Sequence, residues 1–462
     1  VNYTEALEYL GGLVPTLARP TMERMQNYFG ILDDPQNRVP VVHVGGTNGK
    51  GSVTTMVAAM LTALGFKCGK FTGPHLDKFN ERFVIDGRIV DDSTFASLAS
   101  KVQEQSHALI EQYEDSVRLT WFEFLMAMAV AYFNQESVAV AVYEVGLGGR
   151  FDATNVLQNV AVSVITNVDL DHVHLLGDTR AKIASEKSGI MRTGVPLVTA
   201  CSGEALEVVR ERSRILGAPL LIISNLDAQY QRIFSDYDLA VEGTLDALSI
   251  KGLCHLRQWL SVQGDKLDNL GLKGAYQRVN TLTALIAVTV YMSRVHRQAL
   301  TAEQLAICLG ALQVAQWPGR FEILESQPII VDGAHNGAGA RALRQSLNQY
   351  YPGKNLVFVF ACFENKDYKA MLSELLQPGD TIFAPLMSHK RPTRFAPEIC
   401  QYAQSLGAQS QSCPDYQSAC KLAIERLSRE PERFGDRFVV TGSFALVKEA
   451  QSGRMNICSK EG

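Results

Sequence analysis

The sequence predicts an α/β protein: an N-terminal P-loop-type domain on a doubly wound, mostly parallel sheet, followed by a second α/β domain. Three observations carry this. Short β-branched runs alternate with longer helical patterns, the first run passes through a glycine-rich loop directly into a helix, and a Pro/Gly break near residue 317 separates one alternation from another. A chain of 462 residues is also too long for one ordinary core, so two domains are expected.

In order, the run 39–44 (VPVVHV) reads as a strand ending at Gly45-Gly46, and after Lys50 the pattern VTTMVAAMLTAL reads as a helix stopping at Gly65. Further apolar strands are expected at 138–145, 161–168, 195–200 and 219–224, with helices such as WFEFLMAMAVAYF between them. From about 225 to 270 the helical period fades into shorter runs that suggest a small antiparallel addition. Helices over roughly 277–293 and 301–312 lead to Trp317-Pro318-Gly319-Arg320, which reads as a linker, so the expected domains are 1–316 and 321–462 with 317–320 between. The second domain repeats the alternation: PIIVDG, a helix from about 337, NLVFVFACF, a helix from about 367, DTIFAPL, two helices, and RFVVTGSF.

Composition narrows the function. With 46% apolar and 20% charged residues the chain is of ordinary globular type, which excludes disordered and fibrous classes. A net charge of -4 offers no basic footprint for nucleic acid, so an acidic substrate must be met by local charge. The nine cysteines form no C-x-x-C pair, which suggests neither a zinc site nor a disulfide framework and fits a reducing compartment. No run of about 18 uncharged apolar residues occurs, and VNYTEALEYL lacks a basic segment followed by an apolar one. A cytoplasmic protein without a membrane partner is expected.

The loop Gly46-Thr47-Asn48-Gly49-Lys50-Gly51-Ser52 departs from the usual G-x-x-x-x-G-K-[ST] spacing, since Val44 stands where the first glycine belongs. Its physics is nevertheless that of a phosphate site. Glycines let the backbone approach an anion, the helix N-terminus presents free N–H groups and positive dipole, Lys50 adds a mobile charge, and the Ser52 hydroxyl can reach a metal. Glu144 ends an apolar strand, where a charge is costly unless paired; it reads as an Mg²⁺ ligand or as a cap or loop ion pair. Asp169, Asp171 and His172 follow the next strand at the same carboxyl edge, where open α/β sheets bind ligands, although Asp is also ordinary turn chemistry. Lys187, beside Glu186, reads by itself as a solvated helix charge. In the second half Asp332, His335 and Asn336 follow a strand, Arg320 is suited to phosphate oxygens, and the basic loop 388–394 could hold a carboxylate or simply be exposed.

Together, GTNGKGS (46–52), GPHL (73–76), ERF (81–83), EVGLGGRFDATN (144–155), DHVHLLG (171–177), EKSGI (186–190), WPGRF (317–321), DGAHN (332–336) and TGSF (441–444) resemble the folylpolyglutamate synthase/dihydrofolate synthase family of the Mur ligase superfamily. The resemblance spans nearly the whole chain, and that superfamily's phosphate loop has the form G-T-x-G-K. It implies a Rossmann-like second domain that closes on the first about the linker. It implies ATP binding by Thr47, Asn48, Gly49, Lys50, Gly51, Ser52, Asn280, Arg320, Asp332 and His335, with His335 near the glutamate or the phosphates. Two Mg²⁺ ions are implied, one held by Ser52 and Glu144, the other by Glu144 and His172, with Lys187 carbamylated into an oxygen ligand. Lys50, Lys187 and His172 would be catalytic, and Arg150, Asp152 and Ala153 would contact the folate. One departure is that family members often carry His-Gln before the asparagine, where this chain has Tyr276-Gln277-Arg278-Val279-Asn280, which leaves Asn280 in place but offers no histidine there.

The implied reaction is ATP-dependent addition of L-glutamate to dihydropteroate and to reduced folates through an acyl phosphate, by a monomer. A monofunctional folylpolyglutamate synthase, another Mur-type ligase, and a nucleotide switch without ligase activity are the alternatives.

Overall fold

Val41-Val42-His43-Val44-Gly45 is buried along its whole length, which is what a strand in the middle of a parallel sheet requires. This strand, β1 (Val41–Gly45), lies at the centre of a nine-stranded sheet with β2 (Cys68–Phe71), β3 (Phe83–Ile85), β4 (Arg88–Ile89), β5 (Val140–Glu144), β6 (Val160–Ile165), β7 (Leu197–Thr199), β8 (Leu220–Ser224) and β9 (Asp238–Glu242), in the order β4-β3-β2-β5-β1-β6-β7-β8-β9. The strands from β2 to β8 pair in parallel, while the β3/β4 hairpin and β9 close the two edges antiparallel. Register sets Val44 opposite Glu144, so the carboxylate leaves the sheet beside the phosphate loop.

A second, six-stranded sheet has the order β10-β11-β15-β12-β13-β14, from β10 (Glu322–Leu324), β11 (Ile329–Asp332), β12 (Val357–Phe360), β13 (Thr381–Pro385), β14 (Gln409–Cys413) and β15 (Phe438–Thr441). Only β10 runs antiparallel to its neighbour. The structure, a computed structural model, describes residues 2–14, 22–224, 238–263, 269–387 and 392–452.

Contacts divide these residues into two units. The first holds the nine-stranded sheet and the helices packed on it, including Val279–Ala315; the second holds Gln316 onward together with Leu272–Arg278. That last stretch is tied in by the Ala275 N–H, which donates to Ser346 Oγ at 2.9 Å, and by the Tyr276 hydroxyl, which donates to Asp332.

Three findings depart from the sequence reading. The region around 225–270 does supply an antiparallel strand, β9, but it also contains a helix, Ala247–Gln263. The β3/β4 hairpin extends the first sheet at an edge where no strand was expected. A polar strand, β14, lies between the two late helices Ala396–Ser405 and Tyr416–Arg429. Among the described residues no helix is long and apolar enough to cross a membrane.

Candidate active site

The phosphate loop is held open mainly by residues after β6. Gly46 has φ +136°, and a Cβ there would fall 1.9 Å from Thr166 Oγ1, so only glycine fits. The Thr166 hydroxyl in turn donates to the Asn48 carbonyl at 2.6 Å. Asn167, just after β6, takes the Asn48 N–H on its Oδ1 at 3.0 Å and the Thr47 N–H on its carbonyl at 2.8 Å. Thr47 Oγ1 closes the ring by accepting from the Asp169 N–H at 3.0 Å. Asp169 is itself paired with Arg180 at 2.8 Å, which makes it a support of the loop.

The helix Lys50–Ala63 starts at Gly49, whose φ of +84° turns the chain into the first turn. A Cβ on Gly49 would lie 2.5 Å from Asn280 Oδ1, which places this predicted nucleotide contact directly against the loop. Ser52 is buried in the first turn, and Lys50 Nζ donates to the Thr47 carbonyl at 3.1 Å.

Lys187 is no solvated helix charge. Only 5% exposed, it donates from Nζ to the Gly46 carbonyl at 2.8 Å, joining the helix Arg180–Lys187 to the phosphate loop. Burial, reinforced by the nearby Lys50 charge, pulls its ammonium down to about 7, so the neutral amine is well populated near neutral pH.

Glu144 is 5% exposed and accepts the Gly73 N–H at 3.1 Å. Its charge already has company. Lys70 is pulled down to about 8 by burial with Glu144 acting against that shift, and Arg82 to about 10 in the same way, so both cations lie within its field. A metal ion is therefore not the only solution to this buried carboxylate.

His172 adopts φ +49° at the start of a short turn of helix, its ring partly exposed and its Nε2 3.8 Å from Asp171 Oδ2. Among the described residues no three His, Cys, Asp or Glu side chains gather as a metal cluster. Ser52 and Glu144 fit Mg²⁺ by their chemistry, since hydroxyl and carboxylate oxygens are what a hard cation takes, with phosphates and waters completing the shell, whereas the His172 imidazole is a softer donor.

The three expected folate contacts sit differently from one another. The Arg150 side chain is about half exposed and is steadied by Ser185 Oγ at 3.1 Å. Asp152 is buried with both oxygens spent on its own loop: Oδ2 accepts the Leu147 N–H and Oδ1 the Thr154 N–H and hydroxyl. Burial raises its carboxyl above the usual range, and these bonds oppose that shift. Ala153 is buried too, so Arg150 is the member of this set that faces outward. Arg192 clamps the far end of the loop, its Nη2 reaching Asn155 O at 2.7 Å and Leu157 O at 2.9 Å.

In the second unit Asp332 is likewise enclosed, accepting from the Tyr276 hydroxyl at 2.7 Å and from the Phe321 and Ala334 N–H groups at 2.8 Å. Phe444 is flanked by Arg320, whose guanidinium lies 4.7 Å from the ring centre, and by His335 at 5.7 Å. Of the basic loop 388–394, residues 388–391 lie outside the described residues, and Arg394 caps the Glu364 carbonyl at 2.8 Å.

Residues 319–444 match the family model for the Mur ligase glutamate ligase domain. A Haloferax volcanii protein named as a probable bifunctional folylpolyglutamate synthase/dihydropteroate synthase is 36% identical over 83% of this chain, which spans 43% of that relative's length. A Bacillus subtilis dihydrofolate synthase/folylpolyglutamate synthase is 31% identical over 81% of this chain and 82% of its own. The chain belongs to the folylpolyglutamate synthase/dihydrofolate synthase family. As a member of this Mur ligase family it is an ATP-dependent ligase. A Mycobacterium tuberculosis folylpolyglutamate synthase solved with ADP and AMPPCP matches it with TM-score 0.78 at 26% identity over 98% of both chains.

Sequence reasoning missed Thr166, Asn167, His43, Thr154 and Lys70. Each has a partner distant in the chain, and for Thr166, Asn167, His43 and Lys70 a polar residue on or after an apolar strand was the one available signal.

Proposed function

We propose that this ligase adds L-glutamate to dihydropteroate and to reduced folates, and that the carboxylate is activated as an acyl phosphate. The observation that carries the reading is the buried Lys187 amine on the Gly46 carbonyl, 2.8 Å away. A nearly neutral amine in a closed polar site is the form that adds carbon dioxide to become a carbamate, as the family resemblance implies. Such a group would supply the oxygen ligand that the side-chain set lacks.

The substrate carboxylate attacks the terminal phosphorus of ATP, and the bond to ADP breaks. The glutamate amine then attacks the acyl carbon, loses a proton, and phosphate departs. Lys50 leaves the Thr47 carbonyl to meet the phosphate oxygens, and the backbone N–H groups of Gly49, Gly51 and Ser52 at the helix N-terminus line the same anion. Asn280 flanks the loop from the side, and Thr47 and Asn48 hold its curvature. Ser52, Glu144, His172 and carbamylated Lys187 are the residues that would hold Mg²⁺, which supplies charge neutralisation on the transferring phosphoryl group. Arg150 offers its guanidinium to the acceptor. Arg320 and His335, ranged about Phe444, and Asp332 are assigned to nucleotide and glutamate in the second unit.

The test is ATP-dependent phosphate release with Mg²⁺ and L-glutamate, comparing dihydropteroate with tetrahydrofolate. Turnover with both is expected. Turnover with tetrahydrofolate alone would leave a monofunctional polyglutamate synthase, and turnover with neither would end the folate assignment.

A further inference from the structure

Beneath the loop that carries Arg150 runs a buried chain of three side chains: Asp152 is 6% exposed, Thr154 and His43 0%. Asp152 accepts on both oxygens, from the Leu147 N–H at 2.9 Å, the Thr154 N–H at 3.0 Å and the Thr154 hydroxyl at 2.5 Å. A hydroxyl has one proton to donate, and here Asp152 receives it. Thr154 Oγ1 must then accept in its 2.8 Å bond with His43 Nε2. That makes His43 the Nε2–H tautomer, with Nδ1 a bare nitrogen, buried and without a hydrogen-bond partner among the described residues.

We propose that His43 is a positioning residue for acceptor binding. Its Nε2–H, acting through Thr154 and Asp152, holds the loop 146–153 in the shape that presents Arg150 to the pterin substrate. This rests on the reading of that loop as the acceptor site. The arrangement is also selective. The phosphate loop hangs on Thr166, Asn167 and Lys187, whereas the His43 ring bonds to the other loop, although both loops depend on the same strand, β1. Loss of the His43 donor leaves Thr154 without the group that orients its hydroxyl, and the error is passed to Asp152 and the turn above it.

The experiment compares the full chain with His43→Leu, His43→Gln and Thr154→Val, measuring kcat and the KM values for tetrahydrofolate, ATP and glutamate, with the melting temperature of each variant. His43→Leu and Thr154→Val are expected to raise the acceptor KM about tenfold while kcat and the ATP KM stay within about twofold. His43→Gln, whose amide can donate to the same threonine oxygen, recovers most of that loss. An unchanged acceptor KM in His43→Leu, a parallel rise in the ATP KM, or a glutamine variant no better than leucine would each overturn the proposal. If His43→Leu fails to fold, Thr154→Val against Thr154→Ser makes the same comparison, because serine keeps the hydroxyl. A wild-type chain that turns over neither pterin would remove the acceptor reading itself, a failure visible before any variant is made.

Discussion

Lys187 Nζ and the carbonyl of Gly46 meet at 2.8 Å although 141 positions separate them in the chain. The bond places a buried amine against the backbone of the phosphate loop, beside the charge of Lys50. If that amine carries a carbamate in the working enzyme, protein equilibrated with ¹³C-labelled bicarbonate shows a carbamate carbon resonance that Lys187→Ala lacks. Turnover in the variant is expected to fall at least about a hundredfold, as for loss of a group that stabilises transition-state charge.

Lys50 is expected to behave similarly for a different reason. Its ammonium is the mobile charge of the phosphate loop, and its loss costs on the order of 3 kcal/mol of transition-state stabilisation, again about a hundredfold in kcat. Near-normal phosphate release by Lys50→Ala would show that the loop does not hold the reacting phosphates.

Gly49 offers a test of local geometry. Alanine there must adopt φ near +84° and crowd Asn280 Oδ1 at 2.5 Å, a strain of about 1 to 3 kcal/mol. Gly49→Ala should therefore weaken nucleotide binding, measured by calorimetry, and lower the melting temperature.

His43 makes a prediction about acid. Burial, with a contribution from Arg192, holds its imidazolium form off until about pH 3, whereas the unfolded chain takes up that proton near 6.5. Protons thus favour unfolding throughout that window, and the stability present above 6.5 is lost as pH falls. By about pH 5 this one group costs about 2 kcal/mol. Chemical denaturation above pH 6.5 and again at about pH 5 should show a smaller loss for His43→Leu than for wild type.

Tyr276→Phe removes one of the donors to Asp332, a carboxylate only 3% exposed. Oδ2 keeps the Phe321 N–H, so the change is the loss of one hydrogen bond to a buried charged group, about 1.5 to 3 kcal/mol. A lower melting temperature is expected, and no change would mean that Arg320 and the backbone donors suffice.

The central parallel strands were legible because burial on both faces makes them continuous apolar runs, as in Val140–Glu144 and Val160–Ile165. The helix Ala247–Gln263 was not, because its buried stripe includes Ser249 and Gly252 while Ile250 and Val262 face outward, which blurs the period. Strand β14, Gln-Ser-Gln-Ser-Cys, lies at an edge and buries little, so no apolar alternation marks it. In the site, residues acting through charge or a glycine turn could be read directly, as with Lys50 and Gly49. Thr166, Asn167 and His43 could not, since their hydrogen bonds reach across more than a hundred residues.

The two margins of the large sheet bear on how the protein behaves when crowded. A long, flat, bare margin would invite a strand from a neighbouring molecule and seed aggregation. Here one margin is the two-residue Arg88–Ile89, and the other, Asp238–Glu242, begins and ends with a carboxylate. One is too short and the other is flanked by carboxylates, so each margin offers an incoming strand a poor partner and disfavours growth of the sheet from molecule to molecule.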